Sequence, residues 1–293
     1  MKIFVTGGSG YVGSYVVLAL LAKGHDVAVL LQGGDKASRL DAVRNNIRMV
    51  DGDLGSSDSY ADFLRGWKPD AAISLAWYAE PGKYLNAITE NLASLDGSLK
   101  LAQALFQVGC RRVVMAGTCA EYDMDAGFLK EDGLAAPTTV YGETKLAMCR
   151  LGLRLAAEQK ADFVWARLFY LFGGSENAGR LVPDFKKTIS EGRVFKATKG
   201  EQVRDYIHIK DAAEAFVLLA ECGAGGIYNV CSGVPLRLRD FLLAMASEMG
   251  KKDGMDFGAV PYRAWEPMFV CGDNSKLKSL GWVPRDPLDC LLD

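Results

Sequence analysis

Along roughly the first 170 residues, short apolar runs alternate with longer stretches whose apolar positions recur three and four apart. The runs at 3–5, 27–31, 47–50, 71–75, 112–116 and 163–168 have the length and composition of buried strands. Between them, 15–21, 57–67, 83–108 and 139–158 read as helices. Strand–helix alternation of this kind predicts a parallel sheet covered on both faces, with ligands gathering at the carboxyl ends of its strands. From about Phe172 the rhythm breaks. Short strands at 194–197, 227–230 and 255–260 mix with helices at 211–221 and 238–248 and with Gly/Pro turns. The expected class is therefore α/β: a doubly wound parallel sheet over 1–171 and a smaller mixed α/β substrate lobe over 172–293, partly interleaved with it.

Composition narrows the chemistry. A length of 293 residues allows one large core with an attached lobe, and a net charge of −2 gives no electrostatic footprint for nucleic acid or an anionic membrane. The apolar stretches fall well short of the roughly 20 residues of a membrane span, and no charged-then-apolar leader precedes the first strand. Seven cysteines without a C-x-x-C pair, and only two histidines, argue against the usual zinc patterns and against any metal site. They fit reduced thiols in a cytoplasmic protein.

Two motifs carry candidate chemistry. The first is Thr6-Gly7-Gly8-Ser9-Gly10-Tyr11-Val12-Gly13, lying between the first strand and the first helix. Strand, glycine turn and helix together place a diphosphate on a helix N-terminus, where free N–H groups and the helix dipole favour an anion. The spacing Gly7-x-x-Gly10-x-x-Gly13 differs from the simplest dinucleotide fingerprint. The second is Tyr141-Gly-Glu-Thr-Lys145, in which residues four apart share a helix face. A fixed ammonium beside a phenol is expected to bring its pKa down from about 10 toward the working range of an acid–base catalyst.

With these motifs the chain resembles the extended short-chain dehydrogenases/reductases, in the branch that modifies nucleotide sugars. The resemblance also takes in Asp53-Leu54, Leu75-Ala76-Trp77, Asn91, Thr118, the run Arg204–Asp211 and Gly281-Trp282-Val283-Pro284, and so spans nearly the whole chain. It implies a Rossmann-type dinucleotide-binding domain. Gly7, Gly10, Tyr11, Val12 and Gly13 would line the diphosphate, Asp53 and Leu54 the adenine, and Ala76 and Lys145 the rest of the cofactor. It further implies a nucleotide-diphosphate hexose as substrate and a homodimer built on the 83–108 and 139–158 helices.

Cofactor choice turns on the end of the second strand, where NAD-preferring relatives carry an acid. Here Leu31 and Gln32 stand there, and no carboxylate follows until Asp35. Lys36, Ser38 and Arg39 either meet a 2′-phosphate or form a solvated loop. The missing acid favours NADP(H) and leaves NAD(H) open, with Gln32 and Arg39 as cofactor-binding candidates.

The reaction turns on Thr118-Cys119-Ala120-Glu121-Tyr122. By resemblance, Thr118 hydrogen-bonds the reacting oxygen, Tyr141 exchanges its proton and Lys145 supports both. The 4,6-dehydratases of the family carry an acid and a base where Cys119 and Ala120 stand, so dehydration by that route is disfavoured. Glu121 reads as a salt-bridge or helix-start residue. On the substrate side, Arg204 takes the family position that clamps a diphosphate, with an ion pair to Asp205 or Asp211 as its other reading. Arg180 precedes a nucleotide-lining segment, and Tyr170 replaces a phosphate-contacting Asn, implying a reshaped pocket. Trp77 and Tyr78 offer either a face for the sugar or core packing, and His208 reads as a strand residue with a satisfied hydrogen bond. The expected activity is NADPH-dependent reduction of a nucleotide-linked 4-keto-6-deoxyhexose with Tyr141 as proton donor. The alternatives are an NAD-dependent nucleotide-sugar 4-epimerase and a non-catalytic NADP-binding sensor.

Overall fold

The computed structural model describes residues 1–251, 253–263 and 266–293. In the first half, strands β1 (Lys2–Thr6), β2 (Asp26–Leu31), β3 (Ile47–Asp51), β4 (Ala71–Ser74), β5 (Arg112–Thr118), the two-residue β6 (Phe128–Leu129) and β7 (Asp162–Leu168) occur in chain order. Helices α1 (Tyr11–Ala22), α2 (Asp58–Trp67), α3 (Ile88–Gln107) and α4 (Val140–Gln159) join them. The second half adds β8 (Tyr170–Phe172), β9 (Phe195–Ala197), β10 (Val203–His208), β11 (Gly226–Val230), β12 (Pro235–Arg237), β13 (Met255–Phe257) and β14 (Phe269–Gly272). Its helices are α5 (Leu181–Ser190), α6 (Ile209–Glu221), α7 (Leu238–Glu248) and the short α8 (Ser275–Lys278).

Seven strands form a parallel Rossmann-type sheet in the order β11-β7-β5-β4-β1-β2-β3. Side chains alternate across it: Ile3 and Val5 join one core while Phe4 joins the other, and Val114 and Val113 divide in the same way. The first core is closed by α1 and α6 through Val16, Val17, Leu20 and Phe216. The second is closed by α2, α3 and α4 through Leu64, Leu101, Leu105 and Met148. Burial on both faces explains why these strands read as continuous apolar runs. Strand order reverses between β1 and β4, which pair as Val5↔Ile73, so the ligand crevice opens beyond their carboxyl ends.

The second sheet runs β12-β10-β14-β6, with β8 also paired to β10. It borrows β6 from the first half (Phe128↔Cys271), while β11 from the second half completes the large sheet beside β7 (Tyr228↔Ala166). A small third sheet pairs β9 with β13. Several segments differ from expectation. The helix expected over 83–108 starts only at Ile88, because Pro81 and Gly82 (φ +80°) open a run of turns over 81–86. Ser38 and Arg39, for which a solvated loop is one reading, instead open a 3-10 helix, Ser38–Asn46, that buries Leu40. His208, by contrast, is the hydrogen-bonded strand residue expected: it closes β10 and caps α6, its ring nitrogen accepting the Lys210 N–H. Among the described residues no helix is long and apolar enough to cross a membrane, and no His/Cys/Asp/Glu group could hold a metal ion.

Candidate active site

The glycine loop leaves β1 and enters α1 beneath the crevice. Gly7 has φ +70°, and a Cβ there would lie 2.6 Å from the Ala76 amide nitrogen, so the loop sits hard against the end of β4. A Cβ on Gly13 would lie 2.0 Å from the Gly7 carbonyl oxygen. Gly10 is the N-cap of α1 and offers no side-chain cap, so the first-turn amides of Tyr11, Val12 and Gly13 stay open to an anion. These residues fit a dinucleotide diphosphate. The Tyr11 hydroxyl donates to the Gly173 carbonyl at 2.7 Å and ties that part of the chain to the loop.

At the end of β2, Leu31 is buried in the core and Gln32 donates to Asp53 Oδ2 at 2.8 Å. Asp53 also accepts the Gly55 N–H at 2.7 Å, and Leu54 packs partly buried against the second core beneath Gly97. The Ser9 hydroxyl donates to Asp35 Oδ2 at 2.5 Å, and the Ala37 N–H to Oδ1 at 2.8 Å. Arg39 donates to the Ser175 carbonyl (3.3 Å) and to Asn177 Oδ1 (2.5 Å). Its guanidinium is thereby spent on the 175–177 segment.

Thr118 ends β5, and Tyr141 and Lys145 lie on the first turns of α4, whose N-cap Thr139 accepts the Gly142 N–H. The structure brings the three together. The Tyr141 phenol is hydrogen-bonded to the Thr118 side chain, and desolvation of this half-buried residue pushes its pKa up. Lys145 donates to the Ala116 carbonyl at 2.7 Å and sits 3.8 Å over the Trp77 ring; its burial brings it down to about 7. The expected lowering of the phenol by its lysine neighbour is thus corrected. Desolvation dominates, and the ammonium, 5.8 Å from the centre of the Tyr141 ring, is itself held by a carbonyl and an indole.

Beneath Thr118 lies a buried charge network. The Glu121 carboxylate accepts the Thr118 N–H (2.8 Å), the Trp165 indole N–H (2.9 Å) and Arg167 Nε (2.8 Å). Glu121 is fully buried and the Arg167 side chain 2% exposed. Burial pushes the Glu121 carboxyl up while Arg167 acts against it. The salt-bridge and helix-start readings of Glu121 both hold, since it also closes a capping box with Thr118. Cys119 is buried, its thiol pushed up to about 12, and Ala120 has no titratable group.

On the substrate side, Arg204 pairs with Glu266 (2.5 Å) and lies 5.3 Å over the Tyr170 ring. Neither suggested partner takes it. Asp205 accepts the Ser232, Gly233 and Gly272 N–H groups, and Asp211 pairs with Arg285. Arg180 stands 5.6 Å over Tyr84, which meets Tyr141 edge to face at 4.9 Å. Tyr84 was missed because its turn reads as the start of a helix. Asn91 holds that turn, donating to the Tyr84 and Ala87 carbonyls and accepting the Trp77 indole N–H. His208, brought down to about 4 by burial and by Arg285, lies among structural contacts.

A family model described as "NAD dependent epimerase/dehydratase family" matches residues 3–231. The UDP-glucose 4-epimerase of Corynebacterium glutamicum is 29% identical over 97% of this chain and 91% of its own length. The UDP-N-acetylglucosamine 4-epimerase of Methanobrevibacter ruminantium, solved with UDP-N-acetylmuramic acid, superposes with a TM-score of 0.88 at 25% identity, covering 99% of this chain and 95% of that one. MoeE5, solved with UDP-glucose and NAD, gives 0.83 at 25% identity, covering 99% and 96%. These likenesses overturn the expected NADP(H) cofactor and, with it, the expected NADPH-dependent ketoreduction. MoeE5 was solved with NAD, and the other two are 4-epimerases, not ketoreductases. In the structure Arg39, one of the residues that offered a contact to a 2′-phosphate, is bonded to Ser175 and Asn177.

Proposed function

The chain belongs to the NAD dependent epimerase/dehydratase family, and on that footing we propose that it is an NAD-dependent 4-epimerase of a nucleotide-linked hexose. It is an enzyme of the extended short-chain dehydrogenase/reductase type acting on a nucleotide sugar. The carrying observation is that Thr118, Tyr141 and Lys145 are assembled while Cys119 and Ala120 leave no acid–base pair for eliminating water. Reversible oxidation at one carbon needs only the assembled set. The intact set also speaks against a non-catalytic sensor.

A bound NAD would supply the hydride acceptor and donor for reversible oxidation at C4, while the chain's own residues move the proton and hold the sugar. Tyr141, once its own proton has left and it stands as the phenolate, takes the proton of the C4 hydroxyl at its phenolic oxygen as hydride leaves C4, and gives that proton back when hydride returns. Thr118 orients the sugar oxygen against that phenol, its own backbone N–H anchored on Glu121. Lys145 stays close through the Ala116 carbonyl and the Trp77 face. Arg204, beside Tyr170, would receive the nucleotide diphosphate in exchange for Glu266, its present partner; that pairing and the ring contact support the reading. Arg180 and Tyr84 border the sugar beside Tyr141.

A homodimer fits the outward faces of α3 and α4, which pack on each other and expose Ile88, Leu92 and Leu151. A cytoplasmic setting fits seven free thiols, six of them buried. The function is tested by supplying UDP- and dTDP-linked glucose and galactose with NAD+ and following the anomeric protons by NMR. Interconversion of C4 epimers with no net change in reduced nicotinamide is expected. Net consumption of a dinucleotide, or loss of water from the sugar, would sink the reading.

A further inference from the structure

We propose that Asp35 is the residue that binds the adenosine ribose of NAD and turns away a 2′-phosphate, resting on the NAD-binding side of the function proposed above. In the usual dinucleotide fold that task belongs to an acid at the end of the second strand. Here the strand end is closed to it: Leu31 is 4% exposed in the core, and the Gln32 amide is turned onto Asp53. The chain then doubles back. Gly34 adopts φ +86°, and the Asp35 N–H donates to the Gln32 carbonyl at 2.9 Å.

That turn carries the Asp35 carboxylate four positions past the strand end and back to the glycine loop, where it accepts the Ser9 hydroxyl at 2.5 Å. β1 and β2 run in register up to Thr6↔Leu30, so the loops leaving them start side by side. An ionised carboxylate has about four acceptor positions. Ser9 and the Ala37 N–H take two, and the residue is exposed, which leaves acceptors for both hydroxyls of a ribose. A 2′-phosphate would bring like charge against the same oxygens. Of the two cations that follow, Arg39 is bonded to Ser175 and Asn177, and Lys36 stands exposed beside Asp35 itself.

The test is calorimetric titration of cofactor-stripped protein with NAD+ and with NADP+, in the wild type and in Asp35→Ala, Asp35→Asn and Ser9→Ala. Circular dichroism checks each fold, and Asp35→Asn preserves shape should the alanine variant fold poorly. Wild type should prefer NAD+. Loss of charge-assisted hydrogen bonds at Asp35 should weaken NAD+ binding by about ten- to a hundredfold and leave NADP+ binding unchanged or tighter. Ser9→Ala removes the clasp but keeps the carboxylate, so most of the preference should survive. Equal losses for both dinucleotides, or an unchanged preference, would mean that Asp35 only shapes the loop and would overturn the proposal. Intact, Asp35-dependent NAD+ preference without epimerisation would sink the epimerase and leave Asp35 standing. A wild type that binds neither dinucleotide sinks both.

Discussion

Replacing Glu121 by alanine removes the anion at the centre of the network beneath Thr118. Its carboxylate is fully buried and meets three donors: Thr118 N–H at 2.8 Å, the Trp165 indole N–H at 2.9 Å and Arg167 Nε at 2.8 Å. Arg167 is 2% exposed, so truncation strands a guanidinium in the interior, a loss of about 3–5 kcal/mol. The orphaned Thr118 and Trp165 N–H groups each add about 1–3 kcal/mol where they stay dry, and the terms are not additive. Even the first alone is a large share of the roughly 5–15 kcal/mol that holds a domain together. Urea denaturation followed by far-ultraviolet circular dichroism should therefore show a midpoint far below wild type. The double variant Glu121→Ala/Arg167→Met removes the stranded charge and should recover part of the loss, with a coupling of about 0.5–3 kcal/mol. A single-variant loss under about 1 kcal/mol, or a double variant no better than the sum of its singles, would refute the view that a dry ion pair seats Thr118.

Three further outcomes are expected. Tyr141→Phe should lower turnover by about 10²- to 10⁴-fold with NAD+ affinity nearly unchanged, measured by epimer interconversion and by calorimetry; full activity would remove Tyr141 from proton transfer. In the cofactor-free protein, Lys145 titrates at about 7 against an ordinary value of 10.5, so across that interval the unfolded chain binds the extra proton. The stability difference between wild type and Lys145→Met should therefore rise with pH through that window, fully present near its top and lost as pH falls toward 7; a flat difference would mean that Lys145 stays charged in the fold. Leu92→Asp, on the outward face of α3, should convert a dimer to monomer in light scattering while leaving the circular dichroism spectrum unchanged. Persistence of the dimer would place the interface elsewhere.

What could be read from the chain was local. The glycine loop is legible because strand, turn and helix are contiguous, and because Gly7 and Gly13 approach one another so closely that no side chain fits between them. Tyr141 and Lys145 are legible because helical spacing alone puts them on one face. The strands of the large sheet are legible because burial on both faces gives unbroken apolar runs. The second sheet escaped, since β6, β8 and β12 are two or three residues long and too short to show any period.

The site features that escaped are pairings across distance or across a turn. Glu121 meets Trp165 and Arg167 because β5 and β7 are neighbours in register, Thr118 opposite Leu168, an adjacency that no local pattern encodes. Arg204 finds Glu266 rather than the carboxylates beside it in sequence, because the backbone N–H groups around Ser232 and Gly272 have already claimed Asp205. The cofactor expectation went wrong for the same reason. Counting to the end of β2 finds a leucine, and a nearby arginine then looks like a phosphate ligand. The fold sends that arginine across to Ser175 and Asn177, while the turn after Gln32 returns a carboxylate to the glycine loop. Charge near a dinucleotide site is therefore set by where the turn delivers each side chain. A single-position rule fails whenever the acid comes from the loop and not from the strand.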